Sequence, residues 1–78
     1  MSTRKLKNVS LADYILFLEK AGCKRIRTNS GHFIYSRMDL MRPIVVQTHI
    51  DPVPEFIIKN ALRAMGLSKK DFFDILFK

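Results

Sequence analysis

Two histidines are the side chains of this chain best suited to moving protons near neutral pH. An unperturbed imidazole has a pKa of about 6.5, so it can both take up and release a proton under those conditions. His32 is the sharper candidate, because it follows Gly31 at the start of a predicted strand. Three guanidinium groups lie close to it in the sequence, on Arg25, Arg27 and Arg37. If these cations hold a phosphodiester, the imidazole could abstract a 2′-hydroxyl proton or protonate the leaving 5′-oxygen, while the guanidiniums stabilise the phosphorane.

Each histidine also has a structural interpretation. His32 could be a strand-edge residue that hydrogen-bonds to a loop. His49 follows the third predicted strand, and the nearby Asp51 could orient its ring as in catalytic His–Asp pairs. Alternatively, His49 could anchor its own loop or contact a substrate.

The other polar side chains do not favour a metal centre or a covalent mechanism. Asp71 and Asp74 are spaced i, i+3, but the first suits a helix cap and the second a solvated helix face. Cys23 is the only cysteine, so the chain offers neither an intramolecular disulfide nor a thiolate pair for structural zinc. We therefore expect no metal and no cofactor, and we interpret Cys23 as a half-buried structural residue.

The charge balance indicates a polyanionic partner. Fourteen lysines and arginines against seven acidic residues give a net charge of +7 in 78 residues, a length that fits one domain. Residues 1–42 hold nine basic and three acidic residues, and residues 43–78 hold five and four. The N-terminal half is therefore the electropositive half. A nucleic acid, an anionic membrane or an acidic protein could each supply the opposite charge.

Aromatic residues are interleaved with the cations of the first two predicted strands. Phe33 and Tyr35 near Lys24 would suit phosphate contact combined with base stacking on an exposed ring. Strand alternation sends these two rings to one face and His32 and Ile34 to the other, so at least one of the two sets packs inside. The aromatic residues therefore have a core interpretation as well.

Charged residues also exclude a membrane segment. Asp13, Glu19 and Lys20 interrupt the apolar residues of 11–21, and no stretch has the length of a signal peptide or of a bilayer span. Together with the single cysteine, this predicts a cytoplasmic protein without a membrane partner.

Local patterns predict the order α-β-β-β-α with a short third helix at the C-terminal end. Ser10 can cap a helix over residues 11–21, which carries an apolar stripe and stops at Gly22. Alternation predicts a strand from residue 24, a turn at 29–31, and further strands over 31–37 and 43–48. A second helix over 54–65 has Pro54 in its first turn, and Ser68 caps a short helix that runs almost to Lys78.

These elements predict a two-layer α+β domain. Helices before and after a three-stranded antiparallel meander can both shield the same face of the sheet, which leaves the other face or an edge for a partner. In the first strand, alternation places residues 24, 26 and 28 on one side and Arg25, Arg27 and Asn29 on the other.

Four segments of the chain resemble motifs of a known family, and they occur in the same order and at a similar spacing. Residues 18–22 (LEKAG) resemble a helix-ending LxxxG element, and residues 30–35 (SGHFIY) resemble a Gly-Ser-His or Gly-Gly-His strand start. Residues 45–49 (VVQTH) are similar to a third strand with a following histidine, and residues 61–68 with Asp71 and Phe72 resemble a closing helix and its tail. Over about residues 11–76 the chain thus resembles the HicA family, the small mRNA-cleaving toxins of HicA–HicB toxin-antitoxin systems.

The resemblance implies a fold similar to the double-stranded RNA-binding domain, metal-independent cleavage of mRNA, and neutralisation by a HicB-like antitoxin. The family's catalytic histidine falls on His32, and His49 matches a second histidine with a catalytic or substrate-binding role. We expect the RNA to be held by Lys24, Arg25, Arg27, Gly31 and Arg37. The chain departs from the family in reading Ser-Gly-His at the strand start and in having residues 50–54 (IDPVP) where a glycine- and lysine-bearing loop is common.

The expected organisation is a basic N-terminal arm over residues 1–9 and a HicA-like ribonuclease domain over residues 10–78. The predicted activity is cleavage of single-stranded or locally unpaired mRNA, with His32 as general acid or base. Two alternatives stand beside it: a non-catalytic RNA-binding module of the same fold, and a basic protein-interaction domain that uses the phenylalanine-rich C-terminal end.

Overall fold

A computed structural model of the chain describes residue 6 and residues 8–77. These residues form an α+β domain with three helices and three strands in the predicted order, and each predicted element is confirmed to within a few residues at its ends. The elements are α1 Leu11–Lys20, β1 Lys24–Asn29, β2 His32–Ser36, β3 Ile44–Gln47, α2 Glu55–Met65 and α3 Lys69–Leu76.

The helix ends form where the cap residues predict them. The Ser10 Oγ accepts a hydrogen bond of 3.0 Å from the Asp13 amide at the start of α1. At the start of α3, Ser68 and Asp71 exchange hydrogen bonds as a complete capping box. The amide of Ser68 donates to the Asp71 carboxylate and lowers the pKa of that carboxyl. Helix α2 ends at Gly66, whose φ of +69° lies in the left-handed region that favours glycine.

The strands form one antiparallel sheet in the order β1-β2-β3, so that β1 and β3 are its edges. One face carries the core: Tyr35 of β2 is 1% exposed, and its β3 neighbours Ile44 and Val46 are also buried. All three helices contribute to the same core, with Tyr14, Phe17, Leu18, Ile58, Leu62, Phe72 and Leu76. The opposite face is open, since Val45 of β3 is 48% exposed. We call it the open face.

Strand β1 departs from the predicted alternation at Ile26. Arg25 and Arg27 pair with consecutive residues of β2, so the residue between them forms a β-bulge. The extra residue puts Lys24 on the same face as Arg27 and Asn29, and it turns Arg25 toward the helix-covered face. The prediction that Arg25 and Arg27 share a face is therefore wrong, because simple alternation contains no signal for an inserted residue.

The segment predicted as a basic arm is described only in part. Residues 1–5 and 7, which carry its three cations, lie outside the described residues, so the arm and its boundary at residue 10 stay predictions. Leu6 is fully buried, and Val9 forms an isolated bridge with Val53 in which the Val53 amide donates to the Val9 carbonyl at 2.8 Å. These two residues of the segment pack with the domain core.

Candidate functional site

The open face of the sheet brings an imidazole together with cations. Directly opposed residues of neighbouring strands point to the same face, so His32 shares the open face with Asn29 of β1 and Gln47 of β3. Further along β2, the same face carries Arg27, Ile34 and Val45, and then Lys24 and Ser36. Arg27 is the diagonal neighbour of His32, at about 7 Å between Cα atoms, which a long side chain can bridge.

The turn before β2 orients the His32 ring. Gly31 takes a φ of +77°, which lets the chain reverse between β1 and β2. The ring is half-buried, and its Nδ1 lies 3.2 Å from the Ser30 carbonyl oxygen. A carbonyl oxygen can only accept a hydrogen bond, so Nδ1 is the nitrogen that carries the proton in this contact. In the neutral ring, Nε2 is then free to accept a proton.

The second histidine lies beside the first. The ring centroids of His32 and His49 are 6.5 Å apart, and the planes are nearly perpendicular at 88°. The pairing of His32 with Gln47 brings the end of β3 next to the start of β2. The Thr48 amide then donates to the Gly31 carbonyl at 3.0 Å, which joins the two loops. His49 is exposed. Sixteen residues separate the histidines in sequence, and the sheet register brings them together.

The Asp51 carboxylate has a different position from the one considered for a His–Asp pair. Its Oδ1 accepts a hydrogen bond of 3.0 Å from the Leu11 amide at the N-terminus of α1. This amide is one of the unpaired donors of a helix start, and a carboxylate is a favourable partner for it. Asp51 thus anchors the loop after β3 to α1.

Arg37 lies at the other end of β2 and is held in the structure. Its guanidinium donates to both carboxylate oxygens of Asp39, at 2.6 and 2.8 Å, and to the Ala21 carbonyl at 2.8 Å. The ion pair raises the pKa of Arg37 and lowers the pKa of Asp39. Arg37 lies five positions after His32, a distance of about 16 Å in an extended strand. Arg37 therefore joins the turn after α1 to the loop after β2.

The predicted phosphate-binding cations fall into three groups. Lys24 and Arg27 are exposed on the open face, and Arg27 is the one nearer to His32. Arg25 lies over the Phe33 ring, with its guanidinium carbon 4.7 Å from the ring centroid. Arg37 forms the third group, because its guanidinium is hydrogen-bonded to Asp39 and to the Ala21 carbonyl. The structure brings Arg27, Gly31, His32 and His49 to one end of the sheet.

Two further polar residues flank His32 on the open face. Asn29 and Gln47 are exposed amides on either side of it, positions suited to hydrogen bonds with a nucleic acid. They were not among the predicted site residues. Neither residue type marks a site by itself, and only the cross-strand register identifies them.

An apolar groove lies between the free edge of β3 and α2. It consists of two adjoining cavities of about 410 and 280 Å³, which share Tyr14, Val45 and Ile57 in their linings. Gln47 and Ile50 line the larger cavity, so the groove reaches the loop that carries His49. The hydroxyl of Tyr14 is buried without a hydrogen-bond partner among the described residues, and burial raises the pKa of this phenol.

The described residues contain no group of three or more His, Cys, Asp or Glu side chains that could hold a metal ion. Cys23 is buried, with its Sγ 3.8 Å from the Met65 Sδ, and burial raises the pKa of the thiol. A raised thiol pKa favours the unreactive protonated form. None of the helices in the described part of the chain is long and apolar enough to cross a membrane.

Comparison of the chain with protein-family models, with curated proteins and with solved structures gave no match.

Proposed function

We propose that this protein is a small metal-independent endoribonuclease of the HicA type, in which His32 is the acid–base group. The observation that carries the proposal is the half-buried His32 ring on the open face, 6.5 Å from a second imidazole. RNA can be cleaved without a metal ion when the 2′-hydroxyl attacks the adjacent phosphorus. That reaction needs one proton removed and one proton supplied, which is the chemistry of imidazole near neutral pH.

The charge of the open face supports an RNA substrate. Arg27 and Lys24 are exposed on it, and neither forms an ion pair with another described residue. Arg27 is close enough to His32 to contact the same phosphate group or the next one, and its planar guanidinium suits phosphate oxygens. Asn29 and Gln47 add hydrogen-bonding groups next to the imidazole. In this proposal the RNA backbone runs along the open face from the Lys24 end to the two histidines.

The proposed fold relationship is to the double-stranded RNA-binding domain, as in HicA proteins. Its support is the order of the elements together with the four sequence segments that resemble that family, including Ser30-Gly31-His32 at the start of β2. The site of action in this proposal is the cytoplasm, where the mRNA substrate is present.

The partner in this proposal is a HicB-like antitoxin. A protein partner is supported by apolar surface that the domain leaves uncovered: the groove beside β3, and the exposed side chains Met38, Met41, Val45 and Phe56. The groove borders the loop that carries His49, so a protein seated there would lie next to the two histidines.

A cleavage assay with total mRNA in the presence of a chelator tests the proposal. The wild-type chain should cut the RNA, and His32→Ala should lower the rate by about 10²- to 10⁴-fold, the usual contribution of an acid–base group. Because His32 is half-exposed, the variant should keep the circular dichroism and thermal midpoint of the wild type. Cleavage by folded His32→Ala at the wild-type rate would refute the role of His32. RNA binding with no cut product at any protein concentration would identify a non-catalytic RNA-binding module instead.

A further inference from the structure

The two neighbouring histidines have different surroundings, and the difference assigns them different roles. We propose that His32 is the general base, acting through Nε2, and that His49 is the general acid that protonates the leaving 5′-oxygen. The assignment rests on the proposed function and extends it from one catalytic histidine to two with distinct tasks.

The contact to Ser30 carries the first half of the assignment. Because the Ser30 carbonyl accepts from Nδ1 of His32, the neutral ring keeps its unprotonated nitrogen at Nε2. In this tautomer Nε2 is the atom that accepts a proton, and the orientation of the ring sets its direction. This is the function that an oriented histidine performs in other acid–base enzymes, where a hydrogen bond to one nitrogen sets the role of the other.

The position of His49 carries the second half. Its ring is exposed, and it makes no hydrogen bond with another described residue, so both of its nitrogens are open to a substrate. It lies across the end of the sheet from His32, with 6.5 Å between ring centroids. Hydrogen bonds of about 2.6–3.2 Å from one nitrogen of each ring can therefore meet on the same phosphate group.

The resulting step is balanced in protons and bonds. Nε2 of His32 takes the 2′-hydroxyl proton as the O2′–P bond forms, and protonated His49 gives its proton to O5′ as the P–O5′ bond breaks. The products are a 2′,3′-cyclic phosphate and a 5′-hydroxyl end. Arg27 is placed to stabilise the charge that develops on the phosphorane oxygens. Proton exchange with water returns His32 to the neutral form and His49 to the protonated form, so no further reactant is needed.

The assignment can be tested with two versions of one oligoribonucleotide, made around a linkage that the wild-type protein cuts. One version has the ordinary 5′-oxygen at that linkage, and the other has a 5′-bridging sulfur. A thiolate leaves without protonation, so the sulfur linkage does not need a general acid. The proteins to compare are the wild type, His49→Ala, the size-matched His49→Gln, and His32→Ala, all with a chelator present.

Both His49 variants should cut the oxygen linkage about 10²- to 10⁴-fold more slowly than the wild type. On the sulfur linkage, the same variants should recover to within about tenfold of the wild-type rate, whereas His32→Ala stays slow on both linkages. Equal losses on the two linkages, or wild-type cleavage of the oxygen linkage by His49→Ala, would overturn the acid role of His49. A wild-type protein that cuts neither mRNA nor either oligonucleotide would instead overturn the proposed function itself.

Discussion

The first residue of β2 and the residue after its last one are both polar groups predicted to contact RNA, and they have opposite surroundings. His32 lies on the open face with one hydrogen bond, to a turn carbonyl. Arg37, about 16 Å along the strand, is 23% exposed and donates three hydrogen bonds to the protein itself. A cation that donates several hydrogen bonds to its own chain stabilises the fold, whereas a polar group left at an open surface is available to a ligand.

The largest expected difference between the two ends of β2 is in the rate of RNA cleavage. His32→Gln removes the proposed acid–base group, so the rate should fall by about 10²- to 10⁴-fold. Arg37→Gln removes a charge that is engaged far from the histidines, so the rate should stay within about threefold of the wild type when both proteins are folded. The measurement is the initial rate on the same mRNA at saturating protein. A loss of 10²-fold or more in Arg37→Gln would place that guanidinium at the reacting phosphate.

Folding stability should show the opposite difference, with a larger loss in Arg37→Gln than in His32→Gln. Hydrogen bonds to charged groups contribute about 1.5–3 kcal/mol when shielded and less when exposed. Because Arg37 joins Ala21 to Asp39 at a half-buried position, Arg37→Gln should lower the free energy of unfolding by about 1–2 kcal/mol. His32→Gln should change it by less than about 0.5 kcal/mol, since the ring makes a single exposed contact. Urea denaturation followed by circular dichroism gives both values. Equal losses of unfolding free energy in the two variants would show that Arg37 does not stabilise the fold more than His32 does.

The order of the elements follows from the sequence because each element has a local cause. Ser10 and Ser68 cap their helices, Gly66 ends α2, and the apolar stripe of α1 needs only helical periodicity. The class of the fold and the strand order are therefore predictable. The placement of the site is predictable in part, because the candidate histidines are the only ones in the chain, and their proximity depends on the register of β2 with β3.

What the sequence could not provide are the details that depend on packing. The bulge at Ile26 shifts Lys24 onto the open face and removes Arg25 from it, and an inserted residue has no signature in an alternating pattern. The engagement of Arg37 depends on the position of a carbonyl sixteen residues earlier, at the end of α1. Basic residues can be counted from the sequence, but whether each one can contact a phosphate depends on its neighbours in the structure.

The salt dependence of RNA binding should distinguish the cations of the open face from Arg37. Each phosphate contact to a single strand contributes about −0.7 to the slope of log K against log salt concentration. Arg27→Gln, and separately Lys24→Gln, should make the slope less steep by about 0.7, whereas Arg37→Gln should leave it unchanged. The comparison uses a His32→Ala background, which the proposed function expects to be inactive, so that the RNA stays intact during the titration. Identical slopes in the Arg27 and Arg37 variants would show that the open face is not where the backbone binds.

The smallest expected effect is the pH dependence of the Arg37–Asp39 pair. Hydrogen bonding to the Arg37 guanidinium lowers the pKa of Asp39 in the folded chain, compared with about 3.9 in the unfolded chain. A depressed folded pKa adds stability that is present above the unfolded value and is lost as the pH falls through the folded value. The stability difference between the wild type and Arg37→Gln should therefore narrow below about pH 4, without vanishing, because the bond to the Ala21 carbonyl does not titrate.

Asp71 in the capping box of α3 provides the control: its pKa is also lowered, but by Ser68, so its contribution is common to both proteins and cancels. A difference that stays constant from pH 7 to pH 2 would show that the carboxylate of Asp39 contributes nothing to holding Arg37 at its end of the strand.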